Sequence, residues 1–150
     1  QDIEHGQLRQ PPGMIERGYG RVVHVASSAG LVGYAYVAAY CARKHALVGY
    51  ATSAAKAPAK TGVTMNLVCP HYVDSPMTDA SVERIVTKTK RTEAETRAFL
   101  AAQNPGGALV TTDEVAETVL ALFESEKNGA IAELVGAPSG APEGAGVRWR

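Results

Sequence analysis

The segment Tyr40-Cys41-Ala42-Arg43-Lys44 places a phenol and an ammonium group four residues apart. In a helix, residues at that spacing lie one turn apart on the same face. A free phenol, with a pKa of about 10, is a poor proton relay near neutrality. A neighbouring positive charge favours the phenolate and lowers that value. A tyrosine tuned in this way can give a proton to a carbonyl oxygen or take one from an alcohol. Ser27 stands thirteen residues upstream, at the end of an apolar run, where its hydroxyl could orient the same oxygen.

A bare Tyr-x-x-x-Lys pair is weak evidence, so the elements that would carry it matter. Val22-Val23-His24-Val25-Ala26-Ser27-Ser28-Ala29-Gly30 reads as a strand running into a loop of small residues. Residues 38 to about 57 read as an Ala-rich helix ended by Pro58 and the Thr61-Gly62 turn, with Leu47, Val48, Ala51 and Ala55 on its apolar face. Residues 63–69 read as a second buried strand ending at Pro70. An irregular loop follows, then a charged helix over about residues 79–90. Thr92-Glu93-Ala94-Glu95 and Thr111-Thr112-Asp113-Glu114 each have capping-box spacing, so a helix should open at both. Asn104-Pro105-Gly106-Gly107 breaks the first of these. The second carries Val115, Val119, Leu122 and Phe123 on one face. Residues 130–135 read as a last strand, and the Gly/Pro/Ala-rich stretch 136–150 as a disordered tail. The order strand, helix, strand, helices, strand implies parallel strands joined by helical crossovers, an α/β doubly wound sheet. Ligands bind such sheets at the carboxyl ends of the strands, and both Ser27 and residues 70–75 follow strands at that end.

In order and spacing, residues 20–28, 40–44 and 62–77 resemble the central and later motifs of the short-chain dehydrogenase/reductase family. The resemblance runs from about residue 12 to residue 135 and covers the later half of a family member. It implies a partial doubly wound parallel sheet, Rossmann-like, with residues 1–135 as the C-terminal part of an NAD(P)-binding domain. The Gly-rich turn that receives a pyrophosphate at a helix N-terminus is not found among these residues, and the family's early strands would precede Gln1. In the family's sheet order the strand at 22–26 would then be an exposed apolar edge, prone to pairing with other chains.

The resemblance further implies an oxidoreductase that interconverts a secondary alcohol and a ketone with NAD or NADP. Ser27, Tyr40 and Lys44 would be catalytic. Ser28, the rival serine, is one residue short of the family's spacing to the tyrosine. Tyr40 and Lys44 would also meet the cofactor, with Lys44 on the nicotinamide ribose. Pro70, Val73 and Ser75 match the loop that holds the nicotinamide, where Val73 would offer backbone groups to the carboxamide. His71 stands where the family usually has glycine, which puts the loop's backbone conformation in question; it reads as a surface residue or a substrate contact. Tyr34 and Tyr36 read as pocket-lining or plain loop residues. Residues 77–102 would form a lid over the substrate. The stretch around Thr87 to Gly107 is faintly similar to bacterial members acting on 3-hydroxyacyl or cyclic hydroxyacyl thioesters. The small-faced helix at 38–57 would pack against its copy in a homodimer or homotetramer. The alternative is an inert truncated chain, at most an interaction module.

Composition fits this picture. The chain has 150 residues, 45% of them hydrophobic, and a formal net charge of zero, which gives a nucleic-acid partner no basic face. No apolar run is long enough to span a membrane. The first residues show no basic cluster followed by an apolar core, and two cysteines make neither a disulfide framework nor a Cys-based metal site. A cytoplasmic, reducing setting is expected. His24, His45 and His71 lack metal-ligand spacing, so no metal is expected. A Ser27–His71–Asp74 hydrolase would lack the Gly-x-Ser-x-Gly elbow. Asn66, inside a strand, is expected to make structural hydrogen bonds.

Overall fold

The computed structural model describes residues 11–56 and 61–150. Residues 1–10 and Pro58, the expected helix stop, lie outside that description. A short helix α1 (Pro12–Glu16) has proline in its first turn, where the missing N–H costs nothing. It leads into strand β1 (Gly20–Val25). A single 3-10 turn (Ser28–Gly30) and a loop connect β1 to helix α2 (Ala38–Ala55). Strand β2 (Val63–Pro70) follows, buried at every position. Three helices, α3 (Pro76–Lys88), α4 (Glu93–Gln103) and α5 (Thr112–Glu124), precede strand β3 (Ile131–Leu134). Strand β4 (Val147–Trp149) closes the chain.

The sheet order is β1-β2-β3-β4. β2 runs parallel to β1 from Gly20↔Val63 to Val25↔Val68, and parallel to β3 from Leu67↔Ile131 to Pro70↔Leu134. Successive strand side chains point to opposite faces. Met65, Leu67 and Cys69 therefore share a core with Ala51, Ala54 and Ala55 of α2, whose small side chains let helix and sheet approach closely. Val68 instead packs with Ala132, Leu134 and Leu122 of α5. Covering by helices on both faces explains why β2 reads as a continuous apolar run rather than an alternating one. Asn66, fully buried, donates from Nδ2 to the Lys127 carbonyl at 2.7 Å and accepts the Ala130 N–H at 2.9 Å. That pair of bonds ties the turn before β3 to the centre of the sheet.

Residues 136–150 differ from the disordered tail expected of them. Strand β4 pairs antiparallel with β3, Ala132↔Trp149 to Leu134↔Val147, so the sheet is parallel in its first three strands only. The physical reason is that the glycines serve as turns. Gly136 has a φ of 70°, and a side chain there would place its Cβ 2.0 Å from the Ala108 carbonyl oxygen. The return is fixed by Val135 N–H on the Gly146 carbonyl at 2.8 Å and by an Arg150–Glu133 ion pair. The Lys127 ammonium lies 4.0 Å from the Trp149 ring centroid.

α3 begins earlier than its charge pattern indicated, because Pro76 occupies its first turn with φ already set. α4 and α5 open on the two capping boxes. The Glu95 N–H donates to Thr92 Oγ1 at 3.2 Å and the Thr92 N–H to Glu95 Oε2 at 2.7 Å. Thr111 and Glu114 repeat the exchange at 3.1 Å and 2.6 Å. α3 and α4 pack on each other, and neither supplies a residue to the two sheet-centred core clusters.

Candidate active site

The site grows from the place where β1 stops. Ala26 N–H still bonds the Val68 carbonyl at 2.8 Å, and Ser27 then leaves the sheet in an extended conformation as the N-cap of the 3-10 turn. Its Oγ accepts the Ala29 N–H at 3.2 Å. Gly30 brings this loop onto α2: a Cβ there would sit 2.7 Å from the Lys44 carbonyl oxygen. Only glycine leaves that approach open, and the approach sets the distance between the strand end and the helix that carries Tyr40 and Lys44.

Tyr40 lies in the first turn of α2, half-buried, and Lys44 one turn later. The Lys44 Nζ is 5.7 Å from the Tyr40 ring centroid and donates to the Val25 carbonyl at 3.4 Å. The cation is thus held between the phenol and the backbone two residues before Ser27. Among the described residues, no hydrogen bond joins Ser27 to Tyr40, and the Tyr40 hydroxyl has no hydrogen-bond partner.

The loop after β2 is ordered by its backbone. His71 N–H bonds the Leu134 carbonyl at 3.0 Å, Asp74 N–H the Val110 carbonyl at 2.7 Å, and Val110 N–H the Tyr72 carbonyl at 2.9 Å. Asn104, only 2% exposed, clamps the same loop: its Oδ1 accepts the Tyr72 N–H and its Nδ2 donates to the Tyr72 carbonyl, both at 2.9 Å. The sequence showed Asn104 only as part of a helix break, and a buried amide beside a Pro-Gly-Gly turn is the signal that could have found it. Val73 forms a bridge with Val110, and its carbonyl accepts from Ser75 Oγ at 3.4 Å. Among the described residues, the Val73 N–H has no acceptor. A carboxamide needs one donor and one acceptor, and Val73 has both to offer. That fits a nicotinamide ring.

His71 differs from the surface residue it could have been. Its side chain is only 6% exposed, and its φ is not positive, since among the described residues Tyr36 alone of the non-glycines has positive φ. The loop backbone is therefore one that any L-residue adopts, and the missing glycine does no harm. His71 Nδ1 lies 3.3 Å from the Tyr34 hydroxyl and Nε2 2.9 Å from Glu133 Oε1. The Tyr34 hydroxyl is also 3.0 Å from Ser28 Oγ. His71 thus pairs with neither Ser27 nor Asp74, which removes the geometry of the hydrolase triad. Glu133 went unremarked in the sequence, although a carboxylate inside Ile131-Ala132-Glu133-Leu134-Val135 is the sort of buried charge that needs partners.

Asp74, Asp79 and Glu93 all pair with Arg97 of α4. Arg97 therefore joins α4 to the start of α3 and to the loop after β2. Two surface clefts, of about 530 and 520 Å³, lie against residues 137–146 and beside α3. Glu114, beside the first, is taken up in a capping box, and Asp79 and Glu93, beside the second, pair with Arg97. Cys41 and Cys69 are buried and free. Burial pushes the Cys69 thiol up to about 11, which leaves it an inert core residue. Among the described residues, no cluster of metal-ligating side chains exists, and no helix is long and apolar enough to cross a membrane.

The strand-end loops sit on a parallel α/β sheet, and the chain belongs to the short-chain dehydrogenase family, whose model matches residues 8–86. It is similar to a D-beta-hydroxybutyrate dehydrogenase of Cupriavidus necator, 38% identical over 117 residues, which span 77% of this chain and 45% of that protein. A putative ketoacyl reductase of Streptomyces coelicolor is 37% identical over 117 residues, 78% of this chain and 45% of that one. Among solved structures, an actinorhodin polyketide ketoreductase variant with NADPH superposes with a TM-score of 0.75 at 34% identity, over 83% of this chain and 49% of that one. Levodione reductase gives 0.72 at 25% identity, over 82% and 48%. The chain spans about half the length of the relatives it matches.

Proposed function

We propose that this chain supplies the proton-transfer and nicotinamide-facing side of an NAD(P)-dependent oxidoreductase that interconverts a secondary alcohol and a ketone. The observation that carries this reading is Lys44, held between the Tyr40 ring and the end of β1 beside Ser27. The nicotinamide cofactor, when bound, supplies or accepts the hydride. Tyr40 gives its phenolic proton to the carbonyl oxygen, or takes one from the alcohol in the reverse direction. Lys44 stabilises the negative charge that develops on the phenol oxygen. Ser27 holds the reacting oxygen by hydrogen bonding. Val73 receives the carboxamide through its N–H and carbonyl, between Pro70 and Ser75.

The substrate proposed is a small hydroxy or oxo compound, with a hydroxyacyl or oxoacyl thioester as the leading class. Relatives named as ketoacyl reductases and 3-oxoacyl-[acyl-carrier-protein] reductases support that choice. The helix pair α3 and α4 would cover the substrate as a lid. α2 exposes Ala38, Ala39, Ala42, Ala46 and Gly49, a small-residue face suited to packing against its copy in a homodimer or homotetramer. A cytoplasmic location accompanies this reading.

NADH or NADPH fluorescence tests it. Enhancement on binding, followed by ketone-dependent loss of the signal, is expected. No enhancement at millimolar cofactor would overturn it. That outcome would favour a non-catalytic interaction module, a reading that draws on β1, which lies at the sheet edge with Val25 51% exposed.

A further inference from the structure

A buried chain of polar groups runs from the far strands of the sheet to the serines at the end of β1. Glu133 is 4% exposed in β3, where an unpaired carboxylate would be costly. Burial works to raise its pKa, but the hydrogen bonds from His71 and Arg150 outweigh that and hold it below the usual carboxylate range. Arg150 meets Glu133 Oε2 through both Nε and Nη2 at 2.8 Å, which leaves Oε1 for His71. An ionised carboxylate only accepts hydrogen bonds, so His71 Nε2 carries a hydrogen.

The rest follows from counting protons. Tyr34 has one hydroxyl hydrogen and two neighbours, His71 Nδ1 and Ser28 Oγ. When His71 is neutral, Nδ1 is a bare acceptor and takes the Tyr34 hydrogen. Ser28 must then donate to the Tyr34 oxygen, and its own hydrogen is spent. When His71 is an imidazolium, Nδ1 donates to Tyr34, Tyr34 donates to Ser28, and the Ser28 hydrogen is released. Ser28 is the residue after Ser27, at the opening of the same turn.

We propose that His71 and Glu133 are positioning residues which, through Tyr34, decide whether Ser28 offers a second hydrogen-bond donor beside Ser27 to the substrate's oxygen. The proposal rests on the oxidoreductase reading and deepens it. Protonation of His71 strengthens the grip on a ketone, an acceptor. The groups around the relay come from every neighbouring element: Tyr34 from the loop before α2, Lys44 from α2, Cys69 from β2, Tyr72 from the following loop, Glu133 from β3 and Arg150 from the end of β4. Burial raises the Cys69 and Tyr72 pKa values, so both stay neutral near neutral pH.

The test reads the ring nitrogens of His71 directly, by nitrogen NMR of histidine-labelled protein across pH. The neutral form should carry its hydrogen on Nε2, and Glu133→Gln, whose amide can donate as well as accept, should convert it to a mixture of tautomers. A hydrogen on Nδ1 in the neutral wild-type ring, or an unchanged tautomer in Glu133→Gln, overturns the relay whether or not the protein turns over. In the active enzyme the ketone KM should fall severalfold as His71 is protonated, and Tyr34→Phe should abolish that pH dependence while kcat changes less than twofold. The same pH dependence in Tyr34→Phe would also overturn the proposal. Absence of turnover with the expected tautomer behaviour would count against the oxidoreductase reading and leave the relay standing.

Discussion

The strand-end site and the α3–α4 pair proposed as its lid are built by different physics. Ser27, Tyr40 and Lys44 hang on elements that bury Leu67, Val68, Cys69 and Ala51 completely, and Gly30 locks the loop onto α2 by direct backbone contact. α3 and α4 bury Val82 and Leu100 but stay outside both sheet cores, and Arg97 ties them to the β2 loop through exposed carboxylates at Asp74, Asp79 and Glu93. Close packing tolerates little displacement, which suits proton transfer. Exposed ion pairs contribute little and break readily, which suits a cover that must open. The contrast predicts that damage at the strand end destroys chemistry, while damage at the lid changes how substrate is held.

Four substitutions probe that contrast from the strand-end side to the lid. Lys44→Met should reduce kcat/KM by about a hundredfold or more, the scale of a lost proton-transfer aid, and steady-state kinetics of the whole enzyme would show it. Gly30→Val should cost about 1–3 kcal/mol, the usual penalty of overpacking, with loss of turnover in whatever remains folded; urea denaturation measures the first and kinetics the second. A stable, active Gly30→Val protein would break the claim that backbone contact sets the site. His24 packs edge-on against Tyr50, its ring centroid 5.8 Å away, and among the described residues its buried Nε2 has no partner. Burial lowers its pKa from 6.5, so the unfolded chain takes up the proton first. Stability should be whole above that value and decline as pH falls through it, and His24→Leu should flatten the decline in urea midpoints measured against pH. Arg97→Ala should leave the melting temperature nearly unchanged and raise KM a few-fold, with the wild-type KM drifting the same way in high salt. A large loss of stability in that variant would erase the difference between lid and site.

Much of this contrast is readable in the residue string, because strong local signals carry it. The unbroken apolar run of β2, the Tyr40–Lys44 spacing and the two Thr-x-x-Glu boxes are each fixed by neighbours in sequence, and each appears in the structure where the pattern places it. What stayed hidden depends on partners far along the chain. Asn104 acts on Tyr72, and Glu133 binds His71 and Arg150; neither separation has a local pattern. The Gly/Pro-rich stretch after residue 135 misled for a related reason. Its composition suits disorder, yet its glycines make the turns that return β4 to β3, and the gain comes from a tertiary ladder and the Glu133–Arg150 pair. Among the described residues β1 is the edge strand of the sheet, so the 150-residue chain in isolation should self-associate, which light scattering would detect.

The central claim is that the Tyr40 hydroxyl delivers the proton. Replacing Tyr40 by Phe removes one oxygen from a half-buried ring and leaves Lys44, Ser27 and the Val73 loop in place. Measured side by side with the wild-type enzyme, ketone turnover should fall at least about a hundredfold while the cofactor dissociation constant stays within about twofold. Turnover retained at the wild-type rate in Tyr40→Phe would contradict the account.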